Sequence, residues 1–383
     1  MFSYWEQASF IKSPDVVIIG SGIVGLNAAI SLKRKKPELH VLVLERGILP
    51  YGASTRNAGF ACFGSPSELL EDLGNHSEAD VFSLVKKRWD GLLRLRTILG
   101  DKHIGYEPLG GHEIFSGHDN ELFEKCFSKL NYLNSQLKSI TGVNNTYEIS
   151  DNKISSFGFR NIKHIIQNKS EGQIDTGLMM KSLLTLARSF DVEILNGVNV
   201  ERIEEASDGV NIYFSPANFN SPLIINAGNV LICVNGFAKK FLPDFDVQPA
   251  RAQVLITSPI SNLKIKGSFH FDHGYYYFRN VENRILLGGG RNSDIDNEYT
   301  DQIELTTKIQ NNLNELLKST ILPQEKYTVE MRWSGIMGLG SNKSPIIKKT
   351  GEKVFCAVRM GGMGIAIGSL VGEEAAELVL NSL

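Results

Sequence analysis

The feature that most constrains this chain is the run from Asp15 to Glu45. DVVIIG is a β-rich apolar run, SGIVG a glycine turn, LNAAISLKRKK a helix with a basic C-terminal end, and HVLVLE a second buried strand. That order is the strand, turn, helix, strand unit of a parallel sheet whose strands are buried on both faces. Gly20, Gly22 and Gly25 form G-x-G-x-x-G, with Ser21, Ile23 and Val24 between them, directly after a strand and opening a helix. Gly20 permits the tight turn, Gly22 lets the backbone approach a pyrophosphate, and Gly25 allows the helix to pack closely on the strand. The helix N-terminus offers free N–H groups and positive dipole to phosphates. Glu45 ends the second strand about 20 residues further on, where an acidic side chain accepts hydrogen bonds from ribose hydroxyls. A dinucleotide site follows from the whole combination.

The rest of the composition narrows the class. With 383 residues, 42% hydrophobic and 21% charged, the chain is long enough for two domains with their own cores. Forty Lys and Arg against 42 Asp and Glu give a net charge of -2, so no global field recruits nucleic acid or an anionic membrane. Cys62, Cys126, Cys233 and Cys356 lie far apart without a C-x-x-C pair, which argues against a disulfide framework or a metal site and fits a reducing cytoplasm. Glu6 and Lys12 precede any apolar run, so no signal peptide is expected, and no apolar stretch approaches the roughly 20 residues of a membrane span. Peripheral contact with a membrane through a loop stays open.

Further along, an amphipathic helical pattern runs from Leu69 to about Leu99, extended chain from Tyr106 to Phe115, and a helix from near Glu121 to Leu137. A helix from Thr176 to Phe190 precedes short strands at Val192 to Leu195 and Val198 to Ile203. NVLICVNGF is a buried strand ending in a glycine turn. Gln248 to Gly290 is rich in β-formers and predicts an antiparallel sheet, followed by a helix near Asp301 to Leu317. VFCAV then leads into RMGGMGIAIG and a final helix. No linker or repeat separates the elements, so the two domains are expected to interleave.

The fingerprint alone serves NAD and FAD equally, and the next stretch decides between them. RGILPYGASTRNAGFACFGS resembles the flavin-contacting loop of the D-amino-acid oxidase, glycine oxidase and sarcosine oxidase family. GQIDTGLMMKSLLTLA, NVLICVNGFAKKFLP, QPARAQVLI, YYYFRNVENRILLGGG, RWSGIMG and GGMGIAIGSLVGEEAA are similar to successive landmarks of that family in the expected order. The resemblance implies an α/β fold: a Rossmann-type FAD-binding domain from residues 1–75, 155–240 and 325–383. It also implies an interleaved α+β substrate domain on a mostly antiparallel sheet from residues 76–154 and 241–324. By position, Gly20, Gly22 and Gly25 would meet the pyrophosphate, and Glu45 and Arg46 the adenosine. Ser54, Thr55, Arg56, Asn57, Ala58 and Gly59 would meet the phosphates and ring. Val200 would border the adenine, with Gly236 counted among the cofactor contacts. Gly361, Gly362, Met363 and Gly364 would bring N–H groups and a helix start to the pyrimidine edge, where positive dipole stabilises the charge of the reduced ring.

The family's chemistry, as the resemblance implies it, moves a hydride from the carbon bearing nitrogen to flavin N5 and gives an imine that hydrolyses. The partners would be a small amine or amino acid and O2 or another electron acceptor. Departures from the family pattern concern the substrate. Glycine oxidase-like members carry arginine where this chain has Met337, and an arginine of some members is replaced within GGMG. Arg291 is the candidate clamp for a carboxylate, with Arg332 and Arg359 weaker; Tyr275 and Tyr277 share one strand face and Tyr276 takes the other. Those two tyrosines, Arg291 and Met337 are the substrate-site candidates, whereas neither His112 nor His273 is assigned as a catalyst. The stretch from Arg332 to Gly340 has no cysteine, so FAD is expected to be noncovalent, and Leu286 and Leu287 stand where some members place a lysine over the ring. A flavin-dependent 2-hydroxy-acid dehydrogenase is the alternative. From another class, a flavin-fold tRNA-modification or partner-binding protein is weakened by the lack of a basic stretch.

Overall fold

Strands Val16–Ile19 and Val41–Glu45 pair in parallel at the centre of a six-stranded sheet in the computed structural model, which describes residues 3–215 and 222–383. The sheet runs Ile346–Lys349, Val354–Val358, Asn229–Ile232, Val16–Ile19, Val41–Glu45, Glu193–Asn196, parallel except for its first, edge strand. Side chains alternate between its two faces as a pleated strand requires. Val16, Ile18, Val41 and Val43 pack with residues of the helices Ile23–Lys35, Glu78–Leu99, Thr176–Ser189 and Gly364–Leu380. Val17, Ile19, Leu42 and Leu44 pack against a three-stranded antiparallel sheet of Val200–Ala206, Gly209–Phe214 and Leu223–Ala227. The last helix lies directly on the first: a Cβ at Gly372 would stand 2.6 Å from Asn27 Cβ, so only glycine permits that approach.

The second domain is built on eight strands in the order Val329–Leu339, Gln248–Thr257, Arg284–Gly289, Tyr276–Val281, Ser268–Phe271, Gly111–Ser116, Ile162–Asn168, Tyr147–Ile149. Every pairing is antiparallel except that of Ser268–Phe271 with Gly111–Ser116. Leu255, Phe269, Phe278 and Leu287 form one face and pack under the helix Thr307–Leu316. Val254 and Tyr277 belong to the opposite face, where they meet Ala58 and Phe60 of the first domain's post-strand loop.

Two strands fall outside the segments that the sequence assigns to this domain: Ile162–Asn168 and Val329–Leu339 lie in the antiparallel sheet. Both mix apolar and polar residues, IKHIIQN and VEMRWSGIMGL, and neither sequence shows which sheet takes the strand. The pattern from Leu69 to Leu99 is two helices, Pro66–Asn75 and Glu78–Leu99, because Ser77 caps a new start by accepting from the Asp80 N–H. Among the described residues no helix is long and apolar enough to cross a membrane.

One buried ion pair ties the sheet to the short helix Ile295–Glu298. Arg251 Nε and Nη2 donate to Glu298 at 3.0 and 2.9 Å, and Gln253 Nε2 donates to the same carboxylate at 3.0 Å. Both charged side chains are almost fully buried. Removing the cation strands the anion, so Arg251→Ala is expected to cost about 3–5 kcal/mol. The midpoint of urea unfolding reads this directly, and an unchanged midpoint refutes it.

Candidate functional site

A cavity of about 1200 Å³ lies where the carboxyl ends of the parallel strands face the antiparallel sheet. At its floor Gly20 has φ +105°, and a Cβ there would stand 2.8 Å from the Cys233 carbonyl oxygen. Gly22 caps the helix Ile23–Lys35 with no side chain of its own, and the Ile23 N–H donates instead to Ser54 Oγ at 2.9 Å. That hydroxyl occupies one of the orphan donors a phosphate oxygen can take. Glu45 is buried and shapes the next turn. Its Oε2 accepts from the Ser21 N–H at 3.1 Å and the Ser21 hydroxyl at 2.8 Å, and its Oε1 from the Gly47 N–H at 2.9 Å. The Tyr51 N–H reaches Oε1 only at 3.5 Å, which leaves room for a further donor from the cavity.

Gly20, Gly22, Ile23, Val24, Glu45, Arg46, Ser54, Arg56, Asn57, Ala58, Gly59, Val200, Gly236, Gly361, Gly362, Met363 and Gly364 all line the cavity. Ser21, Gly25 and Thr55 do not: Ser21 holds Glu45, Gly25 sits between helix and strand, and the Thr55 hydroxyl donates to the Pro50 carbonyl. At one end the Arg46 guanidinium lies 3.7 Å over the Phe237 ring, and Lys240 Nζ donates to the Val200 carbonyl at 2.6 Å. Asn57 fixes its own loop, its amide oxygen accepting from the Gly59 N–H at 2.8 Å and the Thr176 hydroxyl at 2.9 Å. Arg56 Nη1 donates to the Ser334 carbonyl at 2.7 Å and pins that loop to the antiparallel sheet. Gly361 and Gly362 turn through positive φ before the helix Gly364–Leu380 opens toward the cavity.

The opposite wall holds Tyr275, Tyr277, Arg291 and Met337. Tyr277 lies over Gly288, where a Cβ would meet its ring at 2.5 Å, and burial pushes its phenol up to about 12. Tyr276 points away and packs with the opposite face of the sheet. The Arg291 guanidinium lies 5.7 Å from the ring centres of both Tyr275 and Tyr299, and its Nη1 is buried without a hydrogen-bond partner. The weaker arginines are outside the cavity. Arg332 is bound to Gln310 and Asn314, and Arg359 pairs with Asp246 at 2.7 Å. Leu286 and Leu287 also lie outside it, on opposite faces of their strand.

The profile of the DAO family, described as FAD dependent oxidoreductase, matches residues 15–378. The chain belongs to the DAO family. It is therefore an FAD-dependent oxidoreductase, and the relatives agree in extent. Probable oxidoreductase OrdL of Haemophilus influenzae is 23% identical over 394 residues, covering 97% of this chain and 84% of its own length. Glycine oxidase from Bacillus cereus superposes with a TM-score of 0.75 at 15% identity, over 97% of this chain and 98% of its own. L-proline dehydrogenase from P. horikoshii gives 0.74 at 16% identity, over 96% and 94%. At such identities these two structures carry the fold alone.

DAO-family enzymes use FAD, and the cavity of this one fits the group. Its lining runs from the Arg46–Phe237 stack past the N-terminus of helix Ile23–Lys35 to the Gly361–Gly364 turn. A Cβ at Gly52 would meet nothing within 4 Å, and one at Gly22 only Ser54 Oγ at 3.1 Å, so the floor is open where a pyrophosphate needs backbone approach. Sequence reading missed the wall beside Tyr277. Glu68, Glu71, Asp72, Asn75 and His76 line the cavity from one face of the Pro66–Asn75 helix and its cap, joined by His270, His273 and Lys343. The i, i+3, i+4, i+7 spacing of the four in Glu68–Asn75 was the available signal, preceded by the Ser65–Glu68 capping box that marks the helix start. His112 is a packing residue, stacked on Phe269 with ring centres 4.7 Å apart, and burial lowers its pKa to about 4.

Proposed function

We propose that this enzyme oxidises an amine or amino acid at the carbon bearing nitrogen, giving an imine that water hydrolyses, with FAD held noncovalently. Bound FAD supplies the two-electron acceptor for the hydride. The glycine turn and the open end of helix Ile23–Lys35 take the pyrophosphate, Glu45, Arg46, Val200 and Gly236 the adenosine side, and the loop Ser54–Gly59 the span toward the ring. Gly361 to Gly364 offer N–H groups and helix dipole where reduction adds negative charge. The observation that carries the substrate reading is the Arg291 Nη1, buried, unpartnered and flanked by Tyr275 and Tyr299 on the wall of that cavity. A guanidinium so placed suits a carboxylate, and the rings orient what it holds. The fold's relatives that act on glycine, L-proline and iminodiacetate support an amino-acid substrate.

Two cysteines, Cys62 and Cys233, line the cavity, and burial raises both thiols far from ionisation. Neither offers a thiolate for attachment to a flavin. Acid or heat should therefore release intact FAD and leave colourless protein; a yellow precipitate with no free FAD contradicts this. The substrate reading is tested by a panel of amines, D- and L-amino acids, N-methyl amino acids and hydroxy acids, scored by anaerobic bleaching of the flavin. Bleaching with release of ammonia or an alkylamine supports it, and bleaching by hydroxy acids alone overturns it.

A further inference from the structure

Lys343 and Asp72 both line the cavity and join two of its walls, with Lys343 Nζ 2.6 Å from Asp72 Oδ1. The lysine belongs to the loop between strands Val329–Leu339 and Ile346–Lys349, whose backbone is fixed from beneath. The Ser341 N–H and hydroxyl donate to Asp246 Oδ2 at 2.9 and 2.7 Å. Arg359 donates from Nη2 to the Asn342 amide oxygen at 2.8 Å and from Nε to the Ser344 carbonyl at 2.9 Å. The root of Lys343 lies beside the glycine turn that precedes the last helix: a Cβ at Gly361 would stand 3.7 Å from Lys343 Cβ. Asp72 stands on the Pro66–Asn75 helix, one turn beyond Glu68 and on the same face. Exposure rises along that face, from a Glu68 side chain that is 16% exposed to Asn75 and His76, which are exposed and still line the cavity. The ion pair therefore sits toward the cavity mouth, with a lysine side chain 38% exposed over a carboxylate only 10% exposed.

We propose that the Asp72–Lys343 pair is an entrance site for zwitterionic amino acids, opened by a ligand that replaces both partners at once. This rests on the amino-acid reading above and narrows it. Parting the pair leaves a nearly buried carboxylate without its cation, which is costly unless another cation takes its place. An amino acid brings both charges on one molecule: its ammonium goes to Asp72 and its carboxylate to Lys343, so neither protein charge is stranded while the mouth is open. A plain amine pairs with Asp72 but leaves the Lys343 cation to repel it. A hydroxy acid pairs with Lys343 and strands Asp72. Discrimination thus comes as much from the charge left unpaired by the wrong ligand as from the contacts made by the right one. Glu68 extends the path inward. Burial raises its carboxyl, but the charges of His270, Lys343 and Arg88 bring it below the ordinary value, so an ammonium that has passed Asp72 meets a second carboxylate one turn further in. The pair acts on entry and leaves the reacting atoms alone.

The test follows anaerobic flavin reduction of the holoenzyme in a single turnover, with the best amino acid of the panel and with the amine that differs from it only by loss of the carboxylate. Apparent Kd and limiting rate are read separately. Lys343→Met should raise Kd for the amino acid about tenfold, the scale of one charge-assisted contact, and lower Kd for the amine about threefold because Asp72 is freed. Asp72→Asn should do the reverse, weakening the amine about tenfold and the amino acid less, since an unpaired Lys343 still attracts a carboxylate. Limiting rates should stay within about twofold of wild type, as expected of groups that leave the chemistry alone. A purely structural role would move both substrates the same way in both variants, and that result, or an unchanged amino-acid-to-amine ratio, overturns the proposal. Lys343 is exposed enough for its variant to fold even where Asp72→Asn does not. A second measurement locks the mouth: Asp72→Cys/Lys343→Cys joined by a short bismaleimide should keep its FAD and lose flavin reduction by about 100-fold or more, whereas wild type given the same reagent keeps its rate, its own four cysteines being buried. Full-rate reduction in the linked enzyme places the entrance elsewhere and overturns the assignment. If hydroxy acids alone bleach the flavin, the amino-acid reading has failed and this site falls with it, an outcome distinct from amino-acid bleaching with unchanged discrimination.

Discussion

Gly25→Ala should yield no folded flavoprotein, whereas Gly22→Val should yield a folded protein without FAD. The two glycines stand three residues apart in one motif, yet the structure separates their roles. A Cβ at Gly25 would overlap the Gly20 carbonyl oxygen and crowd Ile18 Cγ2 at 3.2 Å. Those atoms belong to the turn and the central strand, which cannot yield without breaking the sheet, and overpacking even a yielding core costs about 1–3 kcal/mol. Native proteins have only about 5–15 kcal/mol in hand. Gly22 has φ -71°, an ordinary value for any residue, and a Cβ there meets nothing but the Ser54 hydroxyl. Valine at 22 therefore fits the backbone while its branches fill the space beside the helix N-terminus that a pyrophosphate must enter. Circular dichroism and flavin absorbance after desalting distinguish the cases. Stoichiometric FAD in Gly22→Val would falsify the placement of the pyrophosphate.

Arg291→Ala is the second large effect. The wild-type guanidinium has a buried nitrogen with no partner, so a bound carboxylate gains a charge-assisted contact without displacing one already made. Such a contact contributes about 1.5–3 kcal/mol, or one to two decades. KM for the best amino acid should rise about 10- to 100-fold, while the flavin spectrum and KM for an uncharged-tail amine change little. Met337 lines the same cavity and brings no charge, so no second arginine masks the loss there. Steady-state kinetics on both substrates reads the difference; an equal change for both assigns Arg291 a packing role, and no change removes it as the clamp.

The cofactor half of this site was legible because backbone chemistry writes itself into residue type. A turn that tolerates only glycine, a strand with no polar face and an acidic residue at a strand end each leave a local mark, which pointed to the Gly20–Gly25 turn and Glu45; the other positions came from the family resemblance, and 17 of the 20 proposed cofactor residues line the cavity. The remaining three, Ser21, Gly25 and Thr55, support the wall from behind, a distinction that spacing does not encode. The substrate half was legible only in part. Tyr277 lies on the strand face predicted to differ from that of Tyr276, whereas Tyr275 belongs to the turn before the strand; both line the cavity, and the helix Thr307–Leu316 covers the opposite face. Glu68 and His270 were missed because nothing in the sequence links a helix near residue 70 to a strand near residue 270. Arg332 and Arg359 had the right chemistry and the wrong partners, both being bound to side chains elsewhere. The strands Ile162–Asn168 and Val329–Leu339, read with the nucleotide-binding segments, lie in the antiparallel sheet; the residues of a strand do not announce which sheet receives it.

The strand that opens the nucleotide fold, Val16–Ile19, takes its neighbour from residues 229–232, that strand takes its own from 354–358, and the first helix is covered by the last. Polypeptide leaves the ribosome at about 5–20 residues per second, so the first glycine turn waits on the order of tens of seconds before Gly361–Gly364 and the final helix exist to complete its cavity. During that interval the strand has only one of its two neighbours, Val41–Glu45, and the helix lacks the last helix that covers it. Nascent chains of this enzyme should therefore be substrates for holdase chaperones until late in synthesis. The cofactor can load only onto the finished polypeptide, and truncations that remove only the last helix should accumulate as aggregates rather than as apoenzyme.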